Sequence, residues 1–189
     1  MYYNGTTGGA MKFRPYARIL IDGMDGSGKT TLADQLMEFL GDNGHLIVGY
    51  NRDHTPGKSP MPTWWMEKLA ENPMEKVVVH DRFFYPEFVY GPVLRNKMDM
   101  PVAVRKYVQE FLRKYAFLIY CRPPAQIIDR DSKTNDQMIG VHEKFKDLLI
   151  AYDKLMLEEA PHYNGNFMKY DWTEGIQPLL KRVMRYIYV

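Results

Sequence analysis

The chain has 189 residues and a single cysteine, Cys121, so no intramolecular disulfide can form. A disulfide-stapled scaffold is excluded, and a reducing, cytoplasmic setting is the simplest expectation. No apolar run approaches the length that crosses a bilayer. Met1 to Met11 is polar and glycine-containing and lacks the apolar centre of a secretion signal. Charge of one sign is also scarce. Against 25 Lys and Arg stand 23 Asp and Glu, and the formal charge of +2 does not by itself argue for nucleic-acid binding. The five histidines lack zinc-binding spacing. No repeat, low-complexity tract or composition shift marks a second domain. The apolar share of 46% is that of a globular protein and suffices for one full core. A flexible arm over 1–15, with Met11 as an alternative start, and one domain over 16–189 are expected.

What the chain does contain is concentrated first in Arg18 to Thr31: an apolar run, a glycine-rich turn, then the start of an amphipathic helix. Gly23 to Thr30 fits G-x-x-x-x-G-K-[ST], the P-loop pattern. Glycines let the backbone turn tightly and bring N–H groups close to a triphosphate. The helix opening at Lys29 adds unpaired donors and the positive end of its dipole. Lys29 supplies a charge for the outer phosphates, and the Thr30 hydroxyl can ligate Mg²⁺. Gly23, Asp25, Gly26, Ser27, Gly28, Lys29, Thr30 and Thr31 are therefore the expected ATP-binding residues.

Apolar periodicity and breakers set out the remaining elements. Strands are expected at 16–22, 45–50, 76–80, 116–121 and 166–170. Helices are expected at 29–40, around Trp64 to Leu69, from Pro86, over 101–115, 125–130 and 141–159, and over 174–188. A loop is expected over 51–62, and Gly91-Pro92 should interrupt or kink the helix that begins at Pro86. Asp131 to Asp136 is a polar patch with no apolar anchor. Alternating strands and helices predict an α/β, three-layer P-loop fold: a central parallel sheet of about five strands with helices on both faces.

Val77 to His80 should deliver Asp81 and Arg82 to the same carboxyl edge of the sheet as the P-loop. A carboxylate there can assist Mg²⁺ or accept a proton, and an arginine can clamp a phosphoryl oxygen. A surface ion pair is the bland alternative. Phe83, Phe84 and Tyr85 could form a base platform beside Arg82, or plug the sheet's edge. The run Lys181, Arg182, Arg185 reads as a solvated helix face, and Cys121 as a buried strand residue.

Gly23-Met24-Asp25-Gly26-Ser27-Gly28-Lys29-Thr30-Thr31 resembles the P-loop of thymidylate kinases. Asp81-Arg82-Phe83, with Tyr90 nine places after the aspartate, resembles that family's Asp-Arg-Tyr/Phe segment and its tyrosine. The element order is similar along nearly the whole chain, and Asp81 to Arg95 also resembles divergent virus-encoded relatives. Some of these phosphorylate a modified base within DNA. The family's usual serine after the arginine and glutamine after the tyrosine are replaced here by Pro86 and Gly91. Its Arg-Glu-Pro-Gly-Gly stretch is echoed only by Arg52 to Gly57. The resemblance implies a kinase moving the γ-phosphoryl of ATP onto a deoxynucleoside monophosphate, thymidylate first. It implies that Asp25 contacts the acceptor sugar, that Asp81 assists Mg²⁺ or the acceptor, and that Arg82 holds the acceptor phosphate. Tyr90 would pack on the deoxyribose.

Lys29, Asp81, Arg82 and Arg130 are the expected catalytic residues, Thr30 and Asp81 the metal ligands, and Asp25, Arg82, Phe83 and Tyr90 the acceptor contacts. Gly26 stands where some thymidylate kinases carry a basic residue, so the missing cation is expected from a lid near 130–139, through Arg130 or Lys133, with Arg122 a further candidate. Competing expectations are a kinase for DNA or a polynucleotide, a deoxynucleoside kinase, and, from another class, a P-loop ATPase or nucleotide-binding module with no separate acceptor. The partner expected is a small nucleotide, with nucleic acid not favoured, no membrane, and a homodimer compatible with the sequence.

Overall fold

Arg18–Asp22 forms the central strand, β1, and every residue of it is buried. The computed structural model describes residues 12–42, 47–52, 62–70, 77–132 and 140–188. Four further strands follow: β2 (Ile47–Arg52), β3 (Val77–Asp81), β4 (Ala116–Cys121) and β5 (Phe167–Tyr170). They pair in the order β2-β3-β1-β4-β5, and all four pairings are parallel. Near-continuous apolar strands such as Val77-Val78-Val79 and Ala116 to Cys121 are those expected of a parallel sheet covered on both faces.

The helices are α1 (Lys29–Asp42), α2 (Pro62–Ala70), α3 (Tyr85–Arg95), α4 (Val102–Tyr115), α5 (Ala125–Ser132), α6 (Phe145–Glu159) and α7 (Gln177–Ile187). Side-chain alternation along the strands separates two cores. Ile19, Ile21, Val77, Val79, Phe117 and Ile119 meet Leu32 and Leu36 of α1 and Leu179 and Val183 of α7. Leu20, Leu118 and Tyr120 meet Trp65 of α2 and the buried sides of α3, α4, α5 and α6. The expected three-layer architecture is therefore present. No helix among the described residues is long and apolar enough to cross a membrane.

Several boundaries differ from expectation, each for a local reason. Gly91-Pro92, expected to interrupt or kink this helix, does not end it, and α3 runs through both residues to Arg95. Pro92 removes only one helical N–H donor, and Gly91 is required because a Cβ there would lie 2.7 Å from the Lys97 carbonyl oxygen. The chain turns instead at Asn96, which is left-handed (φ 53°) and donates its N–H to Gly91 O. Asn51 and Arg52 belong to β2 and Pro62 opens α2, so the expected loop is shorter at both ends. Asp131 and Ser132 extend α5, and Gly41 stays within α1. Residues 141–144 form turns, and α6 begins only at Phe145. The closing helix begins at Gln177, because Asp171 accepts the Thr173 N–H and builds a separate 3-10 turn, Trp172–Glu174. Gly175 (φ 86°) then redirects the chain. Asn43, Gly44, Asn72-Pro73 and residues 53–57 lie outside the described residues.

Two buried polar clusters tie helices to the sheet. Arg18, at the start of β1, donates to the Leu69 carbonyl (2.7 Å) at the end of α2, and its guanidinium sits 5.4 Å from the Phe111 ring. Its Nη1 lies 3.1 Å from His80 Nε2. Burial, then the Arg18 charge, push the His80 pKa down to about 3, so the ring is neutral and accepts from the arginine. Farther out, Glu159 of α6 accepts from Gln109 (2.9 Å), Arg113 (2.8 and 3.0 Å) and the Tyr85 hydroxyl (2.9 Å). One carboxylate thus joins α3, α4 and α6. Without the carboxylate the Arg113 cation loses its partner while the Tyr85 hydroxyl keeps that of Tyr163 (2.8 Å), a change that costs roughly 3 kcal/mol. Glu159→Ala should lower the urea midpoint by a corresponding amount; an unchanged midpoint would show the cluster to be energetically neutral.

Candidate active site

In an open parallel sheet the ligand crevice forms where adjacent strands send their connections in opposite directions. Here β1 leads toward β2 on one side and β3 leads across to β4 on the other, so the crevice lies between the carboxyl ends of β1 and β3. Those ends deliver the P-loop and Asp81-Arg82, the two segments singled out from sequence.

Gly23 (φ 143°), Gly26 (φ 79°) and Gly28 (φ 85°) all have positive φ. Gly23 is also constrained by space, since a Cβ there would lie 2.5 Å from the Cys121 carbonyl oxygen at the end of β4. The loop therefore lies hard against the sheet, and α1 starts at Lys29 with its first N–H donors directed back at the loop. Lys29 is buried, and its Nζ donates to the Met24 carbonyl (2.5 Å) and to Ser27 Oγ (3.4 Å). Burial lowers its pKa, against the opposing pull of Asp81. The loop thus carries its cation folded onto its own backbone.

The Thr30 hydroxyl donates to Asp81 Oδ2 at 2.8 Å, linking α1 to β3. A hydroxyl and a carboxylate oxygen are the hard donors that suit Mg²⁺, which takes one or two protein oxygens alongside water and phosphate. No group of three or more His, Cys, Asp or Glu gathers as a metal cage among the described residues. Thr30 and Asp81 are the residues whose oxygens would suit a Mg²⁺ ion.

On the other side of the loop Asp25 forms a second cluster. Its Oδ1 pairs with Arg82, its Oδ2 accepts from the Tyr90 hydroxyl (3.0 Å), and its N–H donates to the same hydroxyl oxygen (3.3 Å). Arg82 adopts φ 63°, a left-handed conformation that costs a non-glycine residue about 1 kcal/mol or more. That strain turns its side chain back across the crevice to Asp25 instead of onward into α3.

Asp22, the last residue of β1, was not singled out from sequence. It is buried, and Oδ1 accepts the Gly23 N–H at 2.7 Å. The Tyr152 hydroxyl of α6 is its buried side-chain neighbour. Burial raises the Asp22 pKa to about 6, although the Gly23 N–H, Lys29 and Arg82 pull it down. The available signal was a carboxylate closing an otherwise apolar strand directly before the loop. A second such residue is Trp172, whose indole would lie 3.0 Å from a Cβ on Gly28 and so covers the loop from the β5 side.

Other expected residues stand apart. Phe83 is 2% exposed and packs into the helical core, with its carbonyl accepting from Trp65 Nε1 (2.9 Å). Arg130 lies exposed at the end of α5 and pairs with Asp131 at 2.7 Å. Arg122 is engaged by Asp153 of α6 through two bonds of 2.9 Å. Thr31 is exposed on α1. Lys133 and the rest of the expected lid, 133–139, lie outside the described residues.

No family model matches the chain, and no curated protein matches it in sequence. Solved structures do match in fold. The YorR protein of Bacillus subtilis, solved with phosphorylated GDP, is 16% identical with a TM-score of 0.63, covering 89% of this chain and 94% of its own. Deoxyadenosine kinase of M. mycoides with bound dATP is 18% identical with a TM-score of 0.55, covering 89% and 97%. The same enzyme with dCMP and dCDP gives 16% and 0.55. At these identities the likeness establishes a shared fold.

Asp22 carries a testable consequence. Its folded pKa lies above its unfolded value of 3.8, so its neutral form favours the fold. That stability is fully present below about pH 4 and is lost as pH rises through 6. Asp22→Asn should therefore stabilise the protein at pH 7 by roughly 2–3 kcal/mol, and should remove that pH dependence between 4 and 6. Urea titrations of both proteins across this range check it; parallel curves would show the carboxylate to be unperturbed.

Proposed function

We propose that this chain is an ATP-dependent kinase that transfers the γ-phosphoryl group to a small deoxynucleotide, with thymidine monophosphate the first acceptor to test. The observation that carries the reading is the Asp25 cluster. A residue inside the triphosphate loop is bonded to both Arg82 and Tyr90, so donor and acceptor sides form one connected unit. In this reading the loop N–H groups and the α1 N-terminus hold the triphosphate, and Lys29 leaves the Met24 carbonyl for the outer phosphate oxygens. Thr30 and Asp81 would hold Mg²⁺, which screens the phosphate charge. Arg82 would exchange Asp25 for the acceptor phosphate, with Asp25 and Tyr90 turned to the acceptor sugar. Arg130 is proposed as the cation that approaches the phosphates from the α5 side.

A second reading is favoured by Asp22. A phosphate acceptor is already ionised near neutral pH and needs no base, whereas a sugar hydroxyl does. A buried carboxylate with a pKa near 6 beside the loop is suited to that proton transfer. On this reading the acceptor is a deoxynucleoside, and Asp22 is its general base.

Incubating the protein with Mg-ATP and a panel of deoxynucleosides, their monophosphates and an oligonucleotide separates these readings. Phosphorylation of thymidine monophosphate supports the first. Labelling of nucleosides alone, abolished by Asp22→Asn, supports the second. ATP binding with no acceptor phosphorylated would overturn both in favour of an ATPase or a nucleotide-binding module. Lys29→Ala should lower turnover by roughly a hundredfold or more while leaving the circular dichroism of the fold intact. Normal turnover by that variant would remove the P-loop from the mechanism.

A further inference from the structure

Trp172 stands beside the P-loop with no part in the phosphate chemistry. It follows β5 and opens the short 3-10 turn Trp172–Glu174. Its indole lies on Gly28, the last glycine before Lys29: a Cβ on that glycine would meet Trp172 Cδ1 at 3.0 Å and Nε1 at 3.2 Å. The ring is nevertheless 40% exposed. The other exposed large apolar side chains among the described residues, Met66, Val102, Tyr107, Ile150 and Leu157, belong to α2, α4 and α6. Only Trp172 follows a strand at the carboxyl edge of the sheet, where the ligand crevice opens. A ring that served only to shield the loop backbone would gain by burying itself there; this one keeps a large part open to solvent.

Sheet order gives the direction in which a bound triphosphate runs. The Thr30–Asp81 pair and the Asp25-Arg82-Tyr90 cluster join the loop to the β3 side of β1, so the outermost phosphate belongs on that side. β4 and β5 lie on the opposite side of β1. A triphosphate with its outer end at Asp81 therefore carries its nucleoside toward β5, where Trp172 is the aromatic surface beside the loop. The turn around that ring has spent donors of its own. Thr173 N and Oγ1 both donate to Asp171 Oδ1 (2.9 and 2.7 Å), Glu174 N donates to Asp171 O (3.1 Å), and Gly175 N donates to Trp172 O (3.3 Å). The Glu174 side chain is exposed and, when ionised, offers acceptors only. Telling one base from another takes donors and acceptors matched to its edge, whereas stacking uses the π-face that every base has.

We propose that Trp172 stacks on the nucleobase of the phosphoryl donor and makes the site indifferent to which base that is, so that ATP, GTP, CTP and UTP all serve. The proposal rests on the P-loop holding a triphosphate, and not on which acceptor is phosphorylated. It widens the donor from ATP to nucleoside triphosphates as a class. The ring supplies affinity for the base, while the loop N–H groups and Lys29 supply the fit to the phosphates. Selectivity is then left to the acceptor side of the crevice.

Calorimetric titration of the full chain with the Mg²⁺ complexes of ATP, GTP, CTP, UTP and base-free tripolyphosphate tests this. No acceptor is present, so the outcome is independent of the kinase reading. The four nucleotides should bind within about fivefold of one another, and tripolyphosphate roughly tenfold more weakly, the worth of one stacked base. Trp172→Ala should weaken all four nucleotides by a similar factor and leave tripolyphosphate unchanged. Trp172→Phe should restore most of the loss. A preference of roughly tenfold or more for one base overturns the indifference. If Trp172→Ala weakens tripolyphosphate as much as the nucleotides, the ring is only a cover for Gly28 and the stacking role is overturned. Unaltered nucleotide binding by that variant overturns it too. Failure of every triphosphate, tripolyphosphate included, to bind the unaltered protein overturns the P-loop reading and the proposal with it.

Discussion

A central strand that is apolar on both faces ends in a buried carboxylate, Asp22, and a loop that buries a lysine, Lys29. Taking those charges out of water is costly, and each pKa moves toward the neutral form as a result. The surrounding sheet and helices hold them there. Gly23 permits the approach, because only a residue without a Cβ fits beside the Cys121 carbonyl. The two hydrogen bonds that fix the crevice, Gly23 N–H to Asp22 and Thr30 to Asp81, both depend on that contact between loop and sheet.

The charged groups of the site satisfy one another. Lys29 rests on the loop carbonyl, and Arg82 rests on Asp25. A phosphate oxygen in place of the Met24 carbonyl would give Lys29 a charged partner where it now has a neutral one, and the same exchange at Arg82 would release the Asp25 carboxylate. The left-handed backbone at Arg82 makes that exchange local. It directs the guanidinium across the crevice while Phe83, Phe84 and Tyr85 turn inward and anchor the segment in the core.

Much of this was legible in the residues. Val77 to Asp81 and Ala116 to Cys121 are strands because continuous β-branched and apolar runs have no alternative when both faces are covered. Glycine spacing followed by Lys29-Thr30 marks a phosphate loop because so few sequences provide positive φ and a helix start at the right places. Pro92 does not end α3, because its effect depends on what the lost donor would have bonded and not on its position in a run. Phe83 and Arg130 could be placed along the chain, but whether a phenyl ring plugs the core or lines a crevice is decided by helix packing.

The sequence by itself determined the alternation of strands and helices, the phosphate loop and the presence of Asp81-Arg82 at a strand end. These follow from local periodicity and from short motifs whose geometry is set within a few residues. Only the tertiary structure decided that Asp25, Arg82 and Tyr90 share one cluster and that Asp22 is raised toward neutrality. The cluster arises from residues 57 and 65 positions apart meeting at the sheet's edge, where burial and charge are set by neighbours that no local pattern names.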